Sequence, residues 1–458
     1  MITSLKEFQI NPRLKGTVIV LLGIALFVAL AFWGNVPTQT NLGVFIAGIL
    51  VLLFFIGLIG FIGWHLLVRP LPPGQKAAAG SPVPVIYRQL IAVLMAINGL
   101  FLIVGTFWDE VWHRQYGTPF GEDFFWRPHL LMYTGIIITV LLAFAGLFYM
   151  LRRGKGSLQQ RFRANPTIGL LILMGAFLMY SLPADPIWHN IYGVDLTAWS
   201  IPHVILIFSF TAILLLGATI YHTTLPPKEW HFRPRPRRTD FLPYFVMGLA
   251  LNMLLQGMTT DWESTMPILR VRPDWLLAAT IVSLAVFMGT LAAYSLRYAG
   301  AATLAGLSGL LIRLLFQTGF NFFEVTPSAW IIVLFPMLTL DIGLALYGAR
   351  QKRPSPWIIT GLAATVGMAA AGYPLINQFY SHPQITTANL LIHLITTAIA
   401  ACGAAWVGQT LGDILATANK QVEDIGVASA NLRLVPSIAL TAVLAFIVFF
   451  VATAVPPA

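Results

Sequence analysis

Long apolar runs alternate with short polar connections along almost the whole chain. Each run is about as long as the 20 residues that a helix needs to cross a bilayer, where backbone groups must be satisfied within the helix. The runs predict spans at residues 17–34, 42–68, 88–108, 129–151, 167–183, 200–220, 240–258, 274–296, 300–318, 328–349, 357–376, 387–412 and 434–455. We therefore expect an all-α, polytopic integral membrane bundle of about 13 transmembrane helices, forming a single domain over residues 1–458.

Composition supports a membrane protein and limits the residue types that could bind a metal. Charged residues make up 10% of the chain and hydrophobic residues 57%, which is far from the balance of soluble domains. The single cysteine, Cys402, excludes internal disulfides and paired-thiolate metal centres. A metal would have to be held by His, carboxylate or Met side chains.

Basic residues sort by side of the predicted membrane. Loops on the side of the N-terminus carry 22 of the 27 Lys and Arg residues, which places that terminus in the cytoplasm of a cell (plasma or inner) membrane. The opposite, outer loops are acidic and contain Asp109, Glu110, Glu122, Asp123, Asp185, Asp195, Asp261, Glu263, Asp274 and Glu324. The RPRPRR run at 233–238 is then explained by topology and anionic lipid, and no nucleic-acid partner is expected. The expected partners are the bilayer and other membrane subunits.

Two of the outer loops carry the same motif. DEVWHRQYGTPFGEDFFWRPH begins at Asp109, and DPIWHNIYGVDLTAWSIPH begins 76 residues later at Asp185. Nine positions match: Asp109, Trp112, His113, Tyr116, Gly117, Asp123, Trp126, Pro128 and His129 with Asp185, Trp188, His189, Tyr192, Gly193, Asp195, Trp199, Pro202 and His203. We interpret residues 88–151 and 167–220 as tandem helical hairpins that carry the same motif on the same membrane face.

The spacing of the motif predicts a metal site in each hairpin. Asp109 and His113 are four residues apart and share one face if their helix continues that far. Pro128 suits the first turn of the next helix, which would fix His129 close by. The candidate metal ligands are Asp109, His113, His129, Asp185, His189 and His203. Candidates for orienting them through hydrogen bonds are Asp123, Asp195, Tyr116 and Tyr192.

The ligand types do not select one metal. Imidazole with carboxylate suits copper or zinc, and also ferrous iron. Haem b is less favoured, because haem-binding histidines usually face one another inside a bundle rather than standing beside carboxylates at helix ends. A structural brace, a proton relay and a ligand-binding mouth remain alternatives.

The two D-x3-H elements, each followed by a P-H pair, resemble the copper site in the C subunit of the particulate methane and ammonia monooxygenases. The resemblance covers some twenty residues in each copy. It implies copper ligands at Asp109, His113 and His129, and again at Asp185, His189 and His203. It also implies a copper-dependent, monooxygenase-like membrane oxidoreductase.

Two other functions are compatible with the sequence. The protein would alternatively be a non-catalytic membrane subunit of a respiratory or electron-transfer complex, or a transporter with an acidic, His-rich outer mouth.

Arg313 and Asp341 fall in neighbouring predicted helices. Since charges at this depth are costly when unpaired, we predict an intramembrane ion pair between them, with a proton or substrate path as the alternative.

Overall fold

The computed structural model describes residues 42–75, 82–116, 125–181, 187–188, 201–226, 228–263, 273–320, 328–380, 384–417 and 434–454. Its first seven α-helices are α1 (Leu42–Gly63), α2 (Val85–Tyr116), α3 (Arg127–Arg153), α4 (Leu158–Ala164), α5 (Pro166–Ser181), α6 (Ile201–His222) and α7 (Phe241–Glu263). The other seven are α8 (Asp274–Leu296), α9 (Ala301–Phe320), α10 (Ser328–Gln351), α11 (Trp357–Gly367), α12 (Tyr373–Phe379), α13 (Leu390–Thr417) and α14 (Leu434–Ala452). Short π-helical turns extend α1 over Trp64–Val68 and join α11 to α12 over Met368–Gly372.

The described residues form an all-helical bundle without a β-strand, as expected for a multi-pass membrane protein. Nine of their helical segments are long and apolar enough to cross a bilayer, or ten if a bent pair counts as one span. The predicted span at 17–34 lies outside the described residues, and the count of thirteen stays a prediction. Most of the helices begin and end within a few residues of the predicted limits, and α8 matches them at both ends.

One predicted span has a different shape. The run at 167–183 is preceded by the short helix α4, and the two helices α4 and α5 meet at an angle of 109°. Ser157 begins α4 with a capping box, in which its side chain and that of Gln160 each bind the other's backbone N–H. Phe162 is buried and lies over Gly169, where the missing side chain gives its ring space.

The most extensive helix pair is α8 with α13, and small residues make it possible. The face of α13 that turns toward its neighbours is formed by His393, Thr397, Ala401, Ala405, Gly408, Gly412 and Leu415. A Cβ atom on Gly412 would lie 2.6 Å from the Cβ of Tyr294, and one on Gly408 would lie 2.6 Å from the Phe287 carbonyl oxygen. Such close backbone approach is how helices associate in lipid, where no hydrophobic effect draws them together.

A strap, residues 228–240, covers the end of the bundle where α8 joins α9. His231 pairs with the chain just after α8: its N–H donates to the Arg297 carbonyl at 2.9 Å, and its carbonyl accepts from Ala299 N–H at 3.0 Å. The Trp230 ring lies 4.9 Å from that of Tyr294. These contacts give the strap a fixed position.

The strap also contains a buried ion pair. Lys228 donates to the Asp240 carboxylate, and both side chains are almost completely buried. Burial lowers the pKa of the Lys228 ammonium, and the contact with Asp240 opposes that shift. Removing either member would leave a buried charge without its partner, which is costly.

We expect Gly412→Ala to destabilise the bundle by about 1 to 3 kcal/mol, since the added methyl group must push α13 away from α8. Gly403 lies on the same helix, and a Cβ atom there would have no neighbour within 4 Å. Gly403→Ala is therefore the matched control, expected to be neutral or slightly stabilising. Thermal unfolding of the detergent-purified protein, followed by size-exclusion chromatography, measures both. Equal losses in the two variants would contradict the packing argument.

Candidate metal site at the junction of α2 and α3

The first copy of the motif joins two helices at one end of the bundle, called here the motif end. Helix α2 continues beyond the predicted limit of 108 and ends at Tyr116, so that Asp109 and His113 both lie on it, one turn apart. Helix α3 begins at Arg127, with Pro128 in its first turn. The expected role of this proline is therefore confirmed, and it places His129 at the third helical position.

Asp109 and His129 meet across the two helices. The His129 Nε2 atom lies 3.0 Å from the Asp109 Oδ1 atom, and both side chains are mostly buried, with exposures of 13% and 16%. A carboxylate and an imidazole from separate helices thus converge on one point. The Tyr133 ring, one turn after His129, lies 5.9 Å from the imidazole ring.

The remaining candidates of this copy are described in part or not at all. The backbone places His113 and Tyr116 in the last turns of α2, and their side chains lie outside the described residues. Asp123 belongs to the connection at 117–124, which also lies outside them. Within the part of the chain that is described, no group of three or more His, Cys, Asp or Glu side chains gathers as metal ligands would.

The second copy is described at residues 187–188 and at its end, residues 201–203. His203 lies in the first turn of α6, directly after Pro202, as His129 does in α3. Asp185, His189, Tyr192 and Asp195 lie outside the described residues. Each copy therefore places its second histidine at the third position of a helix, and the repeat itself stays a prediction.

An aromatic cluster joins the end of α2 and the beginning of α3 to α14 at the motif end. The ring of Trp112 lies 5.0 Å from that of Trp108 and 5.7 Å from that of Trp126. Phe450 of α14 continues the stack at 6.1 Å from Trp108. All three tryptophans are buried, so this cluster excludes water from the surface where α14 packs on the motif end.

Two further contacts at the motif end were not foreseen from the sequence. The guanidinium of Arg127 donates at 2.8 Å to both the Phe450 carbonyl and the Thr453 hydroxyl, and it lies over the Phe450 ring at 5.1 Å. Gln256 of α7 donates to the Glu110 carboxylate, next to Asp109 on α2. No local pattern marks either contact, because the partners are 146 residues or more apart in the chain.

Asp341 has another partner than the one predicted. Its carboxylate accepts two hydrogen bonds of 2.7 Å, from the backbone N–H and the hydroxyl of Thr303 at the beginning of α9. Arg313 is ten residues further along the same helix, or about 15 Å at 1.5 Å per residue. The predicted ion pair is therefore wrong. The sequence shows that the helices of Arg313 and Asp341 follow one another, but it does not fix the depth of each side chain in the bundle.

Arg313 lies instead among aromatic rings. Its guanidinium carbon is 5.1 Å from the centre of the Phe107 ring and 5.8 Å from that of Trp330, and the side chain is 2% exposed. Aromatic faces attract a cation, and most strongly where water is excluded. Phe107 precedes Glu110 by one turn, so this buried charge belongs to the motif end of the bundle.

The spacing of Asp109 and His129 suits two ligands of one ion. Ligands about 2.0 to 2.1 Å from a tetrahedral metal lie about 3.3 Å from each other. The observed 3.0 Å between Nε2 and Oδ1 is within a few tenths of an ångström of that separation. A small movement of either side chain would admit the ion.

Comparisons with known proteins add no constraint: no family model, no curated protein and no solved structure matches this chain. Arguments about its function rest on the geometry above.

We expect Arg127→Gln to loosen α14, because the shorter neutral side chain loses both hydrogen bonds and the contact with Phe450. Hydrogen exchange of residues 441–454 should become faster, by about tenfold for a loss near 1.4 kcal/mol. Arg233→Gln, an exposed substitution in the strap, is the control and should leave that exchange unchanged. Unchanged exchange in Arg127→Gln would show that α14 is held by its other contacts.

Proposed function

We propose that the protein is a metal-dependent membrane oxidoreductase, or a subunit of one, with copper as the first candidate metal at the motif end. The supporting observation is the 3.0 Å contact between His129 Nε2 and Asp109 Oδ1, which joins two helices of a bundle. The motif resemblance gives the preference for copper over zinc or iron. In the described residues this pair is the part of the motif whose two side chains are seen to meet.

Asp109 and His129 would have different roles as metal ligands. Asp109 would supply an anionic oxygen and His129 a neutral ring nitrogen, with His113 as the third ligand from the turn above Asp109. When bound, a copper ion would supply one-electron chemistry or activate oxygen. The aromatic stack around Trp112 would exclude water, and Gln256 would hold Glu110 away from the ligand position.

The proposal includes an orientation and an internal symmetry. Thirteen helices cross the membrane, hairpins 88–151 and 167–220 are repeats, and the motif end faces outward with the N-terminus in the cytoplasm. The helix ends opposite the motif support this, since they carry most of the described cations: Arg69, Arg152, Arg153, Lys155, Arg161, Arg163, Lys228, Arg233, Arg235, Arg237, Arg238, Arg297, Arg350, Lys352 and Arg353.

Metal analysis of the purified protein tests the site. After growth with copper, zinc and iron, the wild-type protein should retain close to one or two equivalents of copper, for one or both motif copies. Asp109→Asn and His129→Ala should lose the equivalent held by the first copy, because each removes one ligand. His65→Ala is the control, since His65 lies at the opposite end, where its Nδ1 contacts Arg69 at 3.2 Å.

Two outcomes would contradict the metal proposal. One is a wild-type protein without any of the three metals under replete growth. The other is an Asp109→Asn variant with unchanged metal content and a lower unfolding temperature, which would make the pair a structural brace between α2 and α3.

Cysteine labelling tests the orientation. In a Cys402→Ala background, Phe125→Cys places a thiol at the motif end, where the native side chain is 73% exposed. Lys155→Cys places one in the exposed turn between α3 and α4. A membrane-impermeant maleimide should label the first in intact spheroplasts and the second only after permeabilisation. The reverse pattern would overturn the proposed orientation.

A further inference from the structure

One corner of the bundle concentrates positive charge without negative charge of its own. It is built by the end of α1, the end of α3, the turn after α3 and the helix α4; we call it the basic corner. Six cations belong to it: Arg69, Arg152, Arg153, Lys155, Arg161 and Arg163. The sequence has no Asp or Glu from residue 8 to residue 108, nor from residue 124 to residue 184. The segments that build the corner therefore supply no carboxylate to balance these charges.

Hydrogen bonds to backbone carbonyls fix the frame of the corner. Arg161 donates to the carbonyl oxygens of Leu151 at 2.8 Å and Gly156 at 3.0 Å, and so closes the end of α3. Arg163 donates to the Arg69 carbonyl, and the Gln159 amide donates to the same oxygen at 2.7 Å. These carbonyl oxygens orient the two guanidinium groups, but they carry no formal charge and therefore do not neutralise the arginines.

The tight turn between α3 and α4 presents the other cations. Gly156 has a φ of 81°, in the left-handed region that glycine tolerates, and it lets the chain reverse directly after Lys155. Arg152, Arg153 and Lys155 are exposed around this turn. They stand at the level where α4 turns by 109° from α5, as a helix lying along a membrane surface would.

Exposed apolar side chains adjoin the cations. Val68 and Trp64 on the end of α1 are 65% and 47% exposed, and Phe148 and Leu151 on α3 are 64% and 51% exposed. A soluble surface would not present such residues together, whereas acyl chains would cover them. The corner thus combines a surface for acyl chains with a row of cations where phosphate groups of lipids would lie.

We propose that the basic corner is a binding site for an anionic phospholipid. Its headgroup phosphate contacts Arg152, Arg153 and Lys155, with Arg69 directly after the helical turn that ends α1, and its acyl chains lie along Val68 and Phe148. Anionic headgroups attract nearby Lys and Arg residues, and several cations around one phosphate give selectivity over zwitterionic lipids. This site is at the opposite end from the motif and does not depend on the metal proposal.

Native mass spectrometry of the full-length, delipidated protein tests the proposal. Titration with phosphatidylglycerol should give a saturable bound species, and phosphatidylcholine should bind more weakly by about tenfold or more. The triple variant Arg152→Gln/Arg153→Gln/Lys155→Gln should lose this preference. Arg233→Gln/Arg235→Gln/Arg238→Gln is the matched control, because it removes the same charge from exposed positions of the strap.

The controls separate the alternatives. A protein that folds, as judged by size-exclusion chromatography, and retains phosphatidylglycerol equally in both triple variants would overturn the site. Equal loss in both would also overturn it, because binding would then follow net charge alone. Displacement of the lipid by millimolar inorganic phosphate would identify a small-anion site instead, and unchanged lipid binding in phosphate supports the phospholipid.

Discussion

Hydrogen bonding in an apolar surrounding is the constraint on which this structure depends. Because hydrocarbon offers no partner to a backbone N–H or C=O group, every crossing segment must satisfy its own groups as a helix. Polar side chains inside the bundle follow the same rule. Thr139 and Thr259 donate to carbonyls one turn earlier, and Asn252 donates to carbonyls of both α7 and α9. Such residues stabilise the bundle without implying a ligand, which leaves the charged residues as the informative ones.

Charged groups in the bundle are held by partners from other helices. Arg88, 2% exposed at the beginning of α2, donates to the carbonyl and hydroxyl of Thr223 beyond the end of α6. Asp341 receives N–H and hydroxyl donors at the beginning of α9, where the helix dipole also favours a negative charge. Each contact joins the beginning of one helix to another part of the bundle, so these charges fix helix positions. The Asp109–His129 pair joins α2 to α3 in a comparable way, but uses two side chains that a metal can also bind.

Hydropathy predicted most of the helices because run length is a direct consequence of membrane thickness. The limits of α8 were predicted correctly since Asp274 and Arg297 bracket its apolar run. Helix α4 was missed because it contains Gln159, Gln160 and two arginines, and its stability comes from its capping box and from Phe162 packing on Gly169. The error at Arg313 and Asp341 has another cause. Sequence order shows that their helices are adjacent, while the depth of each side chain depends on helix tilt and offset.

The candidate metal site shows the same division between local and distant determinants. Asp109 and His129 could be found from sequence because a four-residue spacing and a helix-starting proline are local signals. The contacts that hold their surroundings, Arg127 with α14 and Gln256 with Glu110, join distant parts of the chain and leave no such signal. Metal ligands must hold their separation to within tenths of an ångström, a precision that two helix ends acquire only when their neighbours are fixed. A short motif can therefore specify which atoms bind, while the bundle as a whole determines whether they stand at binding distance.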